Sequence, residues 1–332
     1  MLETIQAIID SQDATKLSEY FSQNILIKHP HKENLLDYNT GKRLFEKETF
    51  DLIKAYTYLS YIIIEASFAS EKVLMKVKHN ALKIQNIYIA SVQDHMMRVR
   101  CDISYDGSNY LGFQRQPHKK TIQNEVESVL KHIYKSAITI HPASRTDAGV
   151  HAKHQVFHFD CPKTLVPLKI KSLLNKMLPE SIHVFAVKEV PCVFHSRYDT
   201  LSKTYQYKFH HYKDPFKSQY SVYHESFDLV ALNMRLTHFI GNHDFANFAK
   251  SENKNTTRTI YNAVGVSDEK TTIIELRGNG FLRHMVRMIV GHVLNSLKSN
   301  IDTIPSALKN PHQQIPKYLA PAEGLYLAKI DY

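Results

Sequence analysis

From Met97 onward, hydrophobic positions recur either every second residue, as in a strand, or every three to four residues, as in a helix. "MRVRCDISYDG" has the every-second-residue pattern of a strand and ends at the turn pair Asp106-Gly107. "TIQNEVESVLKHIYK" has apolar residues at helical spacing, with Thr121 as a natural N-cap. Further strands are predicted at "AITIHP", "HQVFHFD" and "IHVFAVKEV", and a helix at "LKIKSLLNKMLP", which Pro179 ends. The order β-α-β-β-α-β is that of a ferredoxin-like unit.

A second set of elements begins at residue 199. The strand "KTYQYKFHHY" opens it, followed by a predicted helix over 228–239, two strands over about 258–277, a helix over 281–298 and a final strand, "GLYLAKIDY". The pattern from residue 97 to the end therefore predicts an α+β body of two halves, 97–198 and 199–332.

Residues 1–95 have a different pattern. Two helices are predicted, over 2–22 and 43–58, and then strands at "LSYIIIEASFA", "KVLMKVKH" and "IQNIYIASV". We interpret this part as a small α+β extension of unknown role, and its helices-then-strands order suggests a cone-shaped NTF2-like unit. An alternative is an upstream start, with Met96 or Met97 as the beginning of the body.

Composition narrows the class of protein. The chain has 332 residues, of which 43% are hydrophobic and 22% charged, as is ordinary for a globular protein. It contains no run of eighteen apolar residues, so no membrane association is predicted, and its first residues lack a signal-peptide pattern. Three scattered cysteines fit a reduced, cytoplasmic setting. The net charge of +10 indicates either a polyanionic partner or merely a basic proteome.

The loop "ASRTDAGVHA" is the first candidate for chemistry. An Asp beside a small residue in a loop is more often a turn residue than a catalyst, so Asp147 alone decides little. Arg145 lies two residues away and would share a side with it in an extended loop. Ala148 and Gly149 let a bulky substrate approach the backbone closely. Together these features favour a binding or catalytic loop.

Arg287 lies in an unusual place for an arginine. The segment "GNGFLRHMVRMIVGHVLNSL" is apolar nearly all round, which is typical of a buried helix. A buried guanidinium needs a carboxylate, and Asp147 is a candidate partner. Alternatively, Arg287 lies at the helix edge and extends to solvent. The glycines at 278 and 280 would let the helix N-terminus meet a phosphate, a weak signal on its own.

The histidines after the loop raise the question of a metal. His151, His154 and His158 are irregularly spaced across a loop-to-strand transition, and no cysteine joins them. A metal-dependent hydrolase is the alternative that such a cluster would support. The sequence contains no GxxxxGK phosphate loop and no defensible Ser-His-Asp order.

Several blocks together resemble one known family. "SRTDAGVHA" resembles the catalytic motif of the tRNA pseudouridine synthase A family, with Ser144 where Gly is usual. "ISYDGSNYLGFQRQP" with "TIQNEVESVL", "FHSRYDTLSKTYQYKF", "GNHDFANFAK", "TTRTIYNA", "GNGFLRHMVRMIVGHV" and "PAEGLYL" resemble the family's other blocks in the same order, with Phe113 where Trp is common. The resemblance covers about residues 97–332.

The resemblance implies a pseudouridine synthase fold and a reaction. Two ferredoxin-like-related halves would join their antiparallel sheets, with a central cleft between them. The enzyme would isomerise uridine to pseudouridine at positions 38, 39 and 40 of the tRNA anticodon arm. It would break the N-glycosidic bond, turn the uracil and rejoin it through C5. The family uses no metal or cofactor and typically acts as a homodimer whose two subunits both contact tRNA.

The resemblance also assigns roles to four residues. Asp147 matches the catalytic aspartate, which attacks the ribose or stabilises its opening. Arg145 matches an arginine that assists extrusion of the target nucleotide, a step expected because a stacked base is inaccessible. Tyr205 matches a tyrosine that packs on the uracil and is a candidate for removing the C5 proton. Arg287 matches the arginine that pairs with the aspartate. The remaining alternative is a catalytically inactive tRNA-binding or RNA-chaperone protein.

Overall fold

The computed structural model describes residues 1–11, 14–28, 45, 50–68, 71–79, 83–250 and 255–332. In the extension these residues form a five-stranded sheet in the order β1-β5-β4-β3-β2, antiparallel except for the parallel pair β1 and β5. Its elements are helix α1 (Leu2–Asp10), a 3-10 helix (Ala14–Tyr20), β1 (Phe21–Lys28), β2 (Phe50–Tyr58), β3 (Tyr61–Phe68), β4 (Glu71–His79) and β5 (Ile84–Ser91). Helix α1 buries Ile5, Ile8 and Ile9 against one face of this sheet.

Two predictions for the extension are wrong. The helix predicted over 2–22 ends at Asp10, and Phe21–Lys28 is a strand. The helix predicted over 43–58 is strand β2 from Phe50 onward, while most of 43–49 lies outside the described residues. β2 pairs with β3 through a tight turn in which Leu59 has φ 55°. This backbone pairing and the aromatic side chains of the segment outweigh its helical spacing of apolar residues.

The first half of the body contains the predicted β-α-β-β-α-β series. Its elements are β6 (Met96–Tyr105), α2 (Ile122–Tyr134), β7 (His141–Pro142), β8 (His151–Pro162), α3 (Pro167–Met177) and β9 (Ile182–Val190). The predicted cap of α2 is confirmed, since the Thr121 side chain accepts a hydrogen bond from the backbone N–H of Asn124. Pairing places these strands in the order β7-β8-β6-β9.

The second half repeats that arrangement. Its elements are β10 (Ser202–His210), β11 (Val222–Tyr223), α4 (Leu229–Thr237), β12 (Gly241–Asp244), β13 (Thr257–Ser267), β14 (Thr271–Gly278), α5 (Met285–Ser299), α6 (Ile304–Lys309) and β15 (Leu325–Asp331), with 3-10 helices at Pro215–Lys217 and Ala246–Phe248. The order β13-β14-β10-β15 is the ferredoxin-like order of the first half.

The two halves share one sheet. β15 pairs with β8 in parallel, with Tyr326 opposite His151 and Leu327 opposite Ala152. The predicted α+β fold of two joined, ferredoxin-like-related halves is therefore confirmed, whereas the domain boundaries at 95/97 and 198/199 stay predictions. No helix in the described part of the chain is long and apolar enough to cross a bilayer.

Candidate active site

The loop between β7 and β8 is fixed by the segment that follows β6. The backbone N–H of Phe113 donates to the Thr146 carbonyl at 3.1 Å, and that of Gly149 donates to the Tyr110 carbonyl at 3.1 Å. Gly112 has φ +91°, and a Cβ there would lie 2.8 Å from the Thr146 oxygen. Only glycine fits so close a backbone contact. The loop carrying Asp147 is therefore held rigidly at its base.

The structure brings Asp147 and Arg287 together. A side-chain oxygen of Asp147 (Oδ2) lies 3.5 Å from Arg287 Nη1, and the Arg287 side chain is only 13% exposed. Arg287 Nε also donates a hydrogen bond to the Ala320 carbonyl at 2.7 Å. Of the two possibilities open from the sequence, Arg287 pairs with the loop and does not extend to solvent. The guanidinium therefore places a positive charge directly beside the Asp147 carboxylate.

His284 is a site residue that the sequence reasoning missed. Its Nε2 lies 3.7 Å from Asp147 Oδ2, which is also the oxygen that contacts Arg287. It precedes α5 with φ 62°, a left-handed conformation that is rare outside glycine and concentrates at functional sites. Burial lowers the pKa of His284 and the Asp147 charge opposes that shift. Its position three residues before Arg287 was the only signal in the sequence.

Tyr205 reaches the same loop from β10. The side chain is buried, its ring packs edge-on against Phe281 at 5.1 Å, and its hydroxyl lies 3.0 Å from Ser144 Oγ. Burial raises the pKa of Tyr205 to about 12, although the hydrogen bond from Ser144 opposes the shift. Ser144 is not among the positive-φ residues, so the loop does not require the family's usual glycine there. The hydroxyl of Ser144 instead fixes Tyr205.

A cleft of about 820 Å³ opens above these residues. Asp147 is the only acidic residue among those that line it in the described part of the chain. The cations that line it are Arg115, Arg145, Arg197, Lys203, Arg258, Arg283 and Arg287. Residues 1–95 contain 11 Lys and Arg against 12 Asp and Glu, so the chain's positive charge resides in the body. The cleft is therefore suited to a polyanion.

Arg145 and Lys203 occupy different positions in this cleft. Arg145 is exposed on the loop, and within the described ranges it forms no ion pair with Asp147. Lys203 is buried, and its Nζ donates to the Ala143 carbonyl at 2.6 Å. Burial lowers the pKa of Lys203 to about 8, and the nearby charges of Arg197 and Arg258 act in the same direction.

The three histidines of the neighbouring stretch have separate partners. His151 lies 3.1 Å from Asp106, His154 lies 2.8 Å from Asp102, and His158 Nδ1 lies 3.0 Å from Ser196 Oγ inside the sheet. Across the residues that the structure describes, no group of three or more His, Cys, Asp or Glu side chains is placed to hold a metal ion.

Gly278 and Gly280, the weak signal for a phosphate-binding helix N-terminus, do not directly precede α5. The helix begins at Met285, not at 281. Asn279 is engaged with β13 instead, where its side-chain oxygen accepts from the Thr259 N–H at 3.0 Å. The first turn of α5 lines the cleft through Met285 and Val286, so the helix N-terminus reaches the cleft without these glycines directly before it.

Comparisons with known proteins cover the body. A family model described as "tRNA pseudouridine synthase" matches residues 103–199 and 236–332. The tRNA pseudouridine synthase A of Staphylococcus carnosus (strain TM300) is 39% identical over 241 residues, which are 70% of this chain and 90% of that protein. The protein of the same name from Anoxybacillus flavithermus is 39% identical over 245 residues, 71% of this chain and 99% of that protein.

A solved structure offers a more distant likeness. An NTF2-like protein of unknown function from Cytophaga hutchinsonii is 8% identical, with 27% of this chain and 86% of that chain covered and a TM-score of 0.23. A TM-score this low carries no conclusion about fold or activity. The NTF2-like interpretation of residues 1–95 therefore stays a prediction.

Proposed function

Because the chain belongs to the tRNA pseudouridine synthase family, we propose that it isomerises uridine to pseudouridine at positions 38, 39 and 40 of the tRNA anticodon arm, with Asp147 as the catalytic carboxylate. The observation that carries the assignment of Asp147 is its place as the only acid among the described residues that line a strongly cationic cleft.

The Asp147 carboxylate acts at the ribose. Arg287 stands 3.5 Å away as its counter-charge, an arrangement that suits a nucleophile or an electrostatic stabiliser. As the bond between uracil N1 and the ribose breaks, positive charge develops on the sugar. The carboxylate either attacks C1′ of the ribose or stabilises the charge until uracil C5 bonds to C1′. C5 then gives up its proton and N1 takes one up, so the isomerisation is balanced in protons.

Tyr205 positions the uracil. Its ring lines the cleft beside Phe281, and its hydroxyl is held by Ser144. With a pKa of about 12 the hydroxyl remains protonated near neutral pH, so the resting group is a hydrogen-bond donor and not a base. We therefore propose that Tyr205 packs against the base and is the group beside it that can take part in removing the C5 proton once C5 has bonded to the ribose.

Arg145 assists extrusion of the target nucleotide. Its side chain is exposed on the rigid loop, two residues from Asp147. A guanidinium there can occupy the space that an extruded nucleotide vacates and bind the flanking phosphates. Extrusion is required because the glycosidic bond of a stacked base is out of reach of a cleft carboxylate.

Partners and setting follow from the same family. We propose tRNA as substrate, a homodimer whose subunits both contact it, a cytoplasmic location and a reaction without metal or cofactor. Light scattering of the purified protein measures the dimer, and activity in the presence of EDTA tests independence from metals.

The site of modification is tested with matched transcripts. Three unmodified tRNA transcripts would each keep uridine at only one of positions 38, 39 and 40, and a fourth would carry cytidine at all three. We expect carbodiimide mapping to show pseudouridine in the first three and none in the fourth. Product at another position in the fourth transcript would contradict the proposed site while leaving the reaction class intact.

The proposed tRNA binding should depend on pH through Lys203. Its pKa of about 8 means that the ammonium charge is lost as pH rises through that value. We expect tRNA affinity to fall by about three- to tenfold between about pH 7 and about pH 9, the effect of losing one positive charge from the lining of the cleft. Filter binding measures it. Lys203→Arg remains charged and should flatten the profile, and an unchanged slope in that variant would exclude Lys203 as the cause.

A further inference from the structure

The face of the extension sheet that packs on the body is apolar around one buried charge. β4 points Val73, Met75 and Val77 into the core of the extension. The alternate residues Leu74 and Lys76 point the other way. There Leu74 forms a small apolar cluster with Tyr61 and Ile63 of β3 and with Val193, which belongs to the body. One face of β4 is therefore covered by the core of the extension and the other by the body, as is expected of an extension that packs on the body.

Lys76 forms a buried ion pair with the body. Its Nζ donates to both carboxylate oxygens of Asp199, at 2.8 and 3.0 Å, and the two side chains are 3% and 0% exposed. The Tyr61 hydroxyl donates to the same carboxylate at 3.2 Å. Lys76 Nζ also lies over the rings of Tyr61 and Tyr88, about 5 Å from each centroid. Burying two charges so completely is costly unless their geometry is well satisfied, as it is here.

Asp199 closes the turn that forms one wall of the cleft. Its Oδ2 accepts the backbone N–H of His195 at 2.8 Å, and its own N–H donates to the His195 carbonyl at 3.0 Å. The turn carries Arg197 and Tyr198, which are exposed and line the cleft. A second lysine of β4, Lys78, donates to the Tyr198 carbonyl at 3.0 Å. The extension thus contacts this turn through two lysines and the Tyr61 hydroxyl.

We propose that residues 1–95 act as a built-in support for the RNA-facing wall of the cleft, with Lys76 as the positioning residue that holds the turn 195–199, and with it Arg197 and Tyr198, in place for substrate RNA. This inference rests on the proposed function, because it takes RNA as the occupant of the cleft. The extension, which lies outside the family match, contributes no residue to the lining of the cleft among those described. It acts through the turn.

Steady-state kinetics on the full-length protein separate positioning from general stability. We expect Lys76→Met to raise KM for tRNA by about tenfold with kcat within about twofold, and Arg197→Ala to do the same. If Lys76 acts through Arg197, the double variant should be no worse than either single variant by more than about twofold. Lys54→Met removes an exposed cation of the same sheet and should leave both constants unchanged.

Lys76→Met alone leaves the buried Asp199 charge without its main partner and could misfold, so a second variant removes both charges. Lys76→Met combined with Asp199→Asn removes both charges and keeps an acceptor for the His195 N–H, so we expect it to fold and to show the same raised KM. A wild-type KM in this folded variant would overturn the inference. So would a fall in kcat alone, which indicates only a smaller folded fraction, or full additivity of Lys76→Met with Arg197→Ala.

Assays of tRNA binding and pseudouridine formation by the wild-type protein separate a failure of this inference from a failure of the proposed function. If it binds tRNA but forms no pseudouridine, the proposed function fails, and the same variants are then compared by filter-binding affinity. A roughly tenfold loss of affinity in Lys76→Met, again not additive with Arg197→Ala, would uphold the support role in a binding protein. Unchanged affinity would overturn it.

Discussion

Replacing Asp147 by Asn is expected to abolish pseudouridine formation while leaving tRNA affinity within about threefold of wild type. Asn has the shape of Asp, and the contacts that hold the loop run through the backbone of Thr146 and Gly149, so the loop should stay in place. The amide cannot attack or stabilise the ribose as a carboxylate does. We expect turnover to fall by at least about 10³-fold, the scale seen when a group that stabilises charge at a reacting centre is removed.

The measurement is nucleoside chromatography of digested tRNA, with filter binding in parallel. Asp214→Asn is the matched control, because Asp214 caps an exposed 3-10 helix through the Phe216 N–H and Asn caps equally well. Full activity is expected there. Substantial turnover by the Asp147→Asn variant would refute the carboxylate mechanism, whereas a collapse of tRNA affinity would place Asp147 in binding.

Replacing Arg287 by Ala is expected to cost both stability and catalysis. The change removes the hydrogen bond to the Ala320 carbonyl, leaves a cavity beside α5 and takes the arginine counter-charge from Asp147. Because Asp147 is 24% exposed, the cost should fall below that of breaking a fully buried pair, at about 2 kcal/mol in the free energy of unfolding. Urea unfolding measures it.

A double-mutant cycle tests whether the loss of stability comes through the pair. Asp147→Asn combined with Arg287→Ala should be less destabilised than the sum of the single changes, with a coupling of about 1 kcal/mol. Arg283→Ala is the control, since Arg283 is an exposed cation of the same segment and should leave stability unchanged. Strict additivity would show that the ion pair contributes nothing to folding.

The sequence predicted the features that depend on local chemistry. The Thr121 cap, the helix after it and the repeated α+β series are set by residues close in the chain. The pairing of Arg287 with Asp147 was accessible as one of two possibilities, because a guanidinium on an apolar helix needs a carboxylate, and the family resemblance named the partner.

Features that depend on distant contacts were not predicted. β2 has a helix-like spacing of apolar residues, and only its pairing with β3 makes it a strand. In the sequence, Lys203 looks like an ordinary polar position of a strand. Its hydrogen bond to the Ala143 carbonyl, 60 residues earlier, exists only in the folded chain. The left-handed backbone of His284 has no signature in its residue type. The docking of Lys76 on Asp199 joins residues 123 apart and follows from no motif.

The most direct measurement is the pseudouridine content of an unmodified tRNA after incubation with the purified wild-type protein, in EDTA and without added cofactor. We expect pseudouridine within the anticodon arm. Bound tRNA with no pseudouridine would contradict it, and would favour a protein that binds tRNA without modifying it.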